Sequence, residues 1–197
     1  MHHLQTFALL MISANEIKEL QYKISRDGDQ QAYAQLYLAY MPYLLKFANS
    51  IIKNHELSEE VVSDVFIKVW QNRAGIGKVD NLKLYLYVST KNTALNYLSR
   101  HFRKDVISLE EMSLNISMGT YNPEQLLITQ EAVKKINQEI QKLPPRCRLI
   151  FKLVKEDRLR YSEIARLLNI SVKTIDNQMA IALKKISSAI NFDLKKA

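Results

Sequence analysis

Residues 161–186, YSEIARLLNISVKTIDNQMAIALKKI, decide the fold. Two short helical patterns meet there at Asn169-Ile170-Ser171. Ile164, Leu168, Ile170 and Ile175 are apolar where two crossing helices bury side chains, and Ala165 is small where the helices approach most closely. The turn needs a positive φ, a region that Asn tolerates better than most residues with a side chain. Ser171 is placed to cap the second helix. That helix then exposes Lys173, Thr174, Asp176, Asn177, Gln178 and Lys184, long or polar side chains able to reach base edges and phosphates. The pattern is that of a DNA-reading helix-turn-helix. An ordinary helical hairpin with a wet outer face is the alternative.

Charge supports nucleic acid as the partner. The 197 residues carry a net charge of +8, and an excess of this kind suits phosphates, though an acidic membrane surface would also fit. From residue 143 to the end there are twelve Lys/Arg against five Asp/Glu, a net of +7, so nearly all the excess lies in the C-terminal third. No apolar run approaches the roughly 20 residues that span a bilayer, and the opening MHHLQTFALLM has no Lys/Arg start of a secretory signal. Residues 1–12 read as an extension, and the location expected is cytoplasmic. The single Cys147 excludes an internal disulfide and a Cys-rich zinc site and reads as a small buried side chain. His2, His3, His55 and His101 are scattered, and there is no Gly-rich phosphate loop, metal-ligand cluster or catalytic triad. Neither a catalytic activity nor a cofactor is expected.

Only four Gly and four Pro, with 47% hydrophobic residues, suit an all-α chain. Ser13 and Glu16 form a capping box ahead of Ile17, Leu20 and Ile24. Tyr33, Leu36, Tyr37, Tyr40, Leu44, Phe47 and Ile51 fall largely on one helical stripe and read as core. Pro42 should kink or split that helix. Ser58 reads as the cap of a third helix, with Glu59 and Glu60 in its first turn and Val62, Val65, Phe66 and Val69 buried. Glu60, Asp64, Lys68 and Gln71 share another face, either a solvated one with an Asp64–Lys68 pair or a docking surface for a partner helix. Residues 73–81 read as a loop, with Asp80 or Asn81 capping a helix over 82–103. That helix runs from Tyr85 and Tyr87 into Lys91, Asn92, Asn96, Arg100, His101, Arg103 and Lys104. Rings followed by amides and cations suit a single strand of nucleic acid; a core helix whose basic end complements its own dipole would look the same.

Residues 105–122 break the periodicity and contain no Lys or Arg, as an acidic linker would. Asn122 and Pro123 then start a helix with Val133, Ile136, Ile140 and Leu143 as its seam. Pro144-Pro145 ends it, and a helix over 146–156 buries Leu149, Ile150, Leu153 and Val154. The organisation expected is a helical domain over 13–104, the linker, and a second over 123–197.

LSEEVVSDVFIKVWQNR, LYLYVSTKNTALNYLSRHFRK and LPPRCRLIFKL…LRYSEIARLLNISVKTIDNQMAIALKKI, in that order, resemble an extracytoplasmic-function (ECF) sigma factor of the sigma-70 family. The likeness runs over residues 21–190, and the style of SVKTIDNQMAIALKKI is similar to members from Bacteroidetes-type bacteria. The resemblance implies a sigma-2-like and a sigma-4-like domain with no sigma-3 domain, and a subunit that directs promoter recognition and opening. Glu60, Asp64, Lys68 and Gln71 would dock on the β′ clamp helices of core RNA polymerase, with the β flap as a further contact. Tyr85, Lys91, Asn92, Asn96, Arg100 and Arg103 would hold the minus-10 strand, Asn92 at an exposed base. Ser171, Lys173, Thr174, Asn177, Gln178 and Lys184 would meet minus-35 DNA. The acidic linker would thread the polymerase near the RNA exit path, and an anti-sigma factor would be a further partner. Many relatives carry Arg near Asp176 or Gln178, so Asp176 departs from the pattern. Trp70, on the docking helix, is expected in the core. The rivals are a conventional helix-turn-helix regulator that binds duplex DNA without polymerase, and a helical adaptor with a basic face.

Overall fold

Capping and burial set where each helix begins and ends. A computed structural model describes residues 13–102 and 130–194, with side chains described over 13–100 and 135–188. The chain divides into two compact units, Met1–Val106 and Ile107–Ala197. Among the described residues all regular structure is helical, and no helix is long and apolar enough to cross a membrane. The expected linker at 105–122, the Asn122-Pro123 helix start, Arg103 and the side chain of Val133 lie outside the described residues.

In the first unit α1 spans Ala14–Asp27. Ser13 and Glu16 exchange hydrogen bonds as a capping box, Glu16 N–H to Ser13 Oγ at 3.2 Å and Ser13 N–H to the Glu16 carboxylate at 2.7 Å. Gly28 ends the helix at φ 63°, a conformation that costs Gly little. Helix α2 spans Gln30–Ile52 and runs through Pro42 without a break, so the expected split does not occur. The helix closes around the proline because Leu36, Tyr40, Leu44, Phe47 and Ile51 are all buried on one side of it. Each such side chain withdrawn from water contributes roughly 1.5–3 kcal/mol, of the same order as the cost of an interior Pro.

Helix α3 covers His55–Gln71, and its cap is Asn54, whose Oδ1 accepts from Leu57 N–H at 3.0 Å. The cap is therefore not Ser58, the residue that the local Ser-Glu-Glu pattern predicts. Ser58 is instead buried in the second turn and donates back to the Asn54 carbonyl. Glu56 therefore occupies the first turn, and Glu59 and Glu60 lie beyond it. The 73–81 segment is not wholly a loop: Arg73–Ile76 make a short helix, α4. Gln21, buried on α1, donates from Nε2 to the carbonyls of Ile76 and Val79, the latter at 2.7 Å. A Cβ on Gly77 would stand 2.7 Å from Ser25 Oγ, so the close approach of this segment to α1 requires glycine there. Helix α5, Leu82–Phe102, is capped by Asn81, whose Oδ1 accepts from Leu84 N–H at 2.9 Å. Helices α1, α3 and α5 pack on α2, and the core between them includes Phe47 and Tyr87, whose rings are 5.1 Å apart.

Trp70 departs from the core position expected. It is half-buried, with Tyr33 4.9 Å away on one side and the Arg73 guanidinium 5.0 Å over its ring. At the last turn of α3 it reaches the rim of the unit, where an amphipathic ring suits both the aromatic neighbour and the cation.

The second unit contains α6 (Gln130–Gln141), α7 (Pro145–Lys155), α8 (Tyr161–Leu168) and α9 (Val172–Leu194). Pro145 opens α7 at its first turn, where a missing N–H costs nothing. Leu149, Ile150 and Leu153 are buried as expected, joined by Phe151; Val154 is only half-buried because α7 ends one residue later. Helices α6, α7 and α8 all pack on α9.

Candidate nucleic-acid interface

Helices α8 and α9 meet as the sequence requires of a helix-turn-helix. Asn169 adopts φ 55° and ψ 50°, and its N–H and that of Ile170 both reach the Ala165 carbonyl. Ile164, Leu168 and Ile175 are buried, whereas Ile170 sits in the turn and is half-buried. Ser171 Oγ accepts from Thr174 N–H at 3.0 Å and lies 2.8 Å from Thr174 Oγ1. Both hydroxyls are therefore engaged in starting α9, which limits what either can offer to a ligand. Lys173, Asn177 and Lys184 are exposed and fall on one stripe. Ala180 is exposed on the same stripe. Sequence reading missed it, although an exposed methyl in a polar stripe suits a thymine methyl. Asp176 is exposed beside Asn177, and Gln178 is half-buried.

The backbone under Gln178 is held from behind. Cys147 Sγ donates to the Gln178 carbonyl at 3.2 Å. Burial pushes the thiol pKa upward, against smaller lowering effects from Lys185 and the Ala182 backbone, which keeps Cys147 a weak neutral donor between α7 and α9.

In the first unit α5 carries a second polar surface. Asn92, Asn96 and Arg100 are exposed at successive one-turn intervals, and Tyr85, two turns before Asn92, is half-buried on the same side. Lys91 is half-buried and already engaged within the protein. Tyr87 is buried in the core, whereas Tyr85 and Tyr97, the latter beside Asn96, are half-buried.

Helix α3 presents Glu60, Asp64, Lys68 and Gln71, all exposed. Lys68 Nζ donates to Thr93 Oγ1 on α5 at 3.4 Å, in place of the expected ion pair with Asp64. That bond joins the α3 face to the polar face of α5. Ile67 is 51% exposed and lies between Asp64 and Gln71 at helical spacing. The sequence signal was its position off the buried series Val62, Val65, Phe66 and Val69.

Comparison with known proteins accounts for both units. The family model for Sigma-70 region 2 matches residues 36–104, and that for Sigma-70 region 4 matches residues 134–186. The chain is 25% identical over 170 residues to the ECF RNA polymerase sigma-E factor of Escherichia coli (strain K12), covering 83% of this chain and 88% of that protein. It is 23% identical over 194 residues to the RNA polymerase sigma-H factor of Pseudomonas aeruginosa, covering 95% of this chain and all of the relative. Among solved structures it resembles CnrH in complex with the cytosolic domain of CnrY, with a TM-score of 0.53, 19% identity and coverage of 90% and 99% of the two chains. The sigma factor RpoE in complex with the anti-sigma factor NepR from Bartonella quintana is similar at a TM-score of 0.51 and 18% identity, over 83% of this chain and 99% of that one. Regions 2 and 4 matched in order, and curated relatives aligned over most of both chains, identify this chain as a member of the ECF group of the sigma-70 family, a sigma factor of bacterial RNA polymerase that acts in transcription initiation.

Proposed function

We propose that three surfaces divide the work of this sigma factor. The α3 stripe of Glu60, Asp64, Ile67, Lys68 and Gln71 docks on the β′ clamp helices of core polymerase. The α5 face of Tyr85, Asn92, Asn96 and Arg100, with Lys91 and Arg103 near it, holds the minus-10 strand as it unpairs. The α9 face of Lys173, Asn177, Gln178 and Lys184 meets minus-35 duplex, with Ser171 and Thr174 fixing its start. The observation that carries this reading is the Lys68–Thr93 bond, which sets a mixed-charge docking face against an amide-rich face within one unit.

An anti-sigma partner is supported by the two structural neighbours, each solved with such a partner or a cytosolic domain. A cytoplasmic location follows from work on promoter DNA. The wording of the recognition helix supports a Bacteroidetes-type source, and the acidic composition of 105–122 supports a path along the polymerase away from DNA. A gel shift and a run-off transcription assay, each with and without core polymerase, test the whole. Promoter-specific transcription only in the presence of both proteins is the expected outcome. Tight duplex binding by the free chain, with no effect on transcription, would return it to the class of conventional regulators.

A further inference from the structure

One buried amide ties α1 to the chain that leads into α5. Gln21 is 6% exposed, and its Nε2 donates to the carbonyls of Ile76 and Val79, the second at 2.7 Å. A side-chain amide has two N–H donors, so one residue can hold two backbone carbonyls at once. Val79 stands two residues before Asn81. The Asn81 Oδ1 caps α5 at Leu84 N–H, and the Asn81 carbonyl accepts from Tyr85 N–H at 3.0 Å. Ser25 lies one turn after Gln21 on α1. It meets the same segment at Gly77, where a Cβ would come within 2.7 Å of Ser25 Oγ. Ile76 and Leu82, at either end of the segment, are buried.

We infer that Gln21 is a positioning residue for promoter opening, which it serves from α1 by bracing residues 76–79 and so placing the first turn of α5. This rests on the reading of the α5 face given above. Gln21 is too buried to touch a strand itself, so it acts through the backbone alone. The chain from the brace to the cap is short, and a shift of the Val79 carbonyl passes to Asn81 and on to Tyr85 at the end of the first turn. Farther along, α5 is held by its packing on α2 and α3. Loss of the brace should therefore displace the Tyr85 end of the polar face and leave the Arg100 end in register. Captured bases return the energy of opening only where the groups that meet them are held in mutual register. A displacement of Tyr85 relative to Asn92 lowers opening without changing either side chain.

Gln21→Met keeps the length of the side chain and removes both donors. Hydrogen exchange of the full chain, read by mass spectrometry, should show the amides of residues 76–85 exchanging about tenfold or more faster, with the buried amides of α2 unchanged. With core polymerase, open complexes on a linear promoter should fall about fivefold or more. Binding of polymerase and of minus-35 duplex should hold, and a pre-melted minus-10 bubble should restore most of the loss. Gly77→Ala pushes the same segment off Ser25 and should give the same two effects. Adding Ser25→Gly makes room for the methyl group and should reverse both. Normal exchange over 76–85 in a folded Gln21→Met protein overturns the brace. Faster exchange with undiminished opening, or an equal loss on linear and bubble templates, overturns its part in opening. Asn92→Ala is measured alongside. A defect there without one in Gln21→Met rejects Gln21 alone, whereas no defect in either rejects the α5 reading and the role of Gln21 with it.

Discussion

Lys152 Nζ lies 2.6 and 2.7 Å from the two carboxylate oxygens of Asp157, and both side chains are sealed from solvent. The pair bridges the end of α7 and the turn into α8. Arg158 follows at φ 52°, and the N–H groups of Asp157 and Leu159 return to the carbonyls of Lys152 and Leu153. Removing one partner leaves a charge buried without compensation, which costs about 3–5 kcal/mol. Asp157→Ala should therefore lower the stability of the second unit by that order, seen as a drop in the urea midpoint with loss of minus-35 binding. Replacing both residues with apolar ones of similar volume should recover most of it. Equal loss in the single and double variants would mean that the turn, and not the charge, is what fails.

The same pair marks where sequence reading reached its limit. Asn169, Ser171, Ile164, Leu168 and Ile175 were legible because a helix-turn-helix fixes their roles within a few residues of one another. Lys152 sits in the apolar run Leu149 to Val154, and nothing local shows that its charge would be answered five residues later inside the core. Gln21 was hidden for the same reason, since its carbonyl partners lie 55 and 58 positions away. Ser58 misled because Ser followed by two glutamates is a good local cap, whereas the helix could start a turn earlier at Asn54 and bury Ser58. Ile67 and Ala180 needed the opposite information, which positions the packing leaves in water. At the candidate site, residue type and helical face were readable; which hydroxyls or cations were already engaged, as at Thr174 and Lys91, was not.

Two tyrosines on α2 make a paired test of the core. Tyr40 is buried, its hydroxyl has no protein partner among the described residues, and burial raises its pKa well above the usual phenol range. Tyr33 donates to the Phe66 carbonyl at 2.8 Å. Tyr33→Phe should cost about 1 kcal/mol, while Tyr40→Phe should be neutral or stabilising by a similar amount. Thermal melts of both variants compare the two directly, and a clear loss from Tyr40→Phe would reveal a partner for that hydroxyl.

On α3, charge and exposure are separable. Glu60→Lys with Asp64→Lys should weaken core-polymerase binding and leave the melting temperature nearly unchanged, since both side chains are exposed. Ile67→Ser should weaken binding about tenfold or more through lost apolar contact, with little dependence on salt. Normal affinity in both variants would move the docking surface off this stripe.

Along α9, Lys173→Ala or Lys184→Ala should lower affinity for every DNA sequence and reduce the salt slope by about one phosphate each. Asn177→Ala and Gln178→Ala should instead change preference at particular minus-35 bases, with roughly 1–3 kcal/mol lost per good contact. Binding assays across a salt series on matched and mutated duplexes separate the two behaviours. A uniform loss from Gln178→Ala would assign it to the backbone, in keeping with its half-buried position.

Strand opening gives the sharpest test of the α5 face. Asn92 is exposed, with Asn96 and Arg100 one and two turns further along. An amide offers a donor and an acceptor, so Asn92 can read the edge of a base once that base is unpaired. Opening duplex costs a few kcal/mol per unstacked base, and captured bases must return that energy. Asn92→Ala should therefore leave polymerase binding and minus-35 duplex binding nearly unchanged while lowering the fraction of open complexes on a linear promoter. On a template with a pre-melted minus-10 bubble much of the defect should disappear, because the opening cost is already met. Permanganate reactivity of thymines on the two templates measures this. An equal loss on duplex and bubble would mean that Asn92 supports docking or the fold, and that strand capture lies elsewhere on α5.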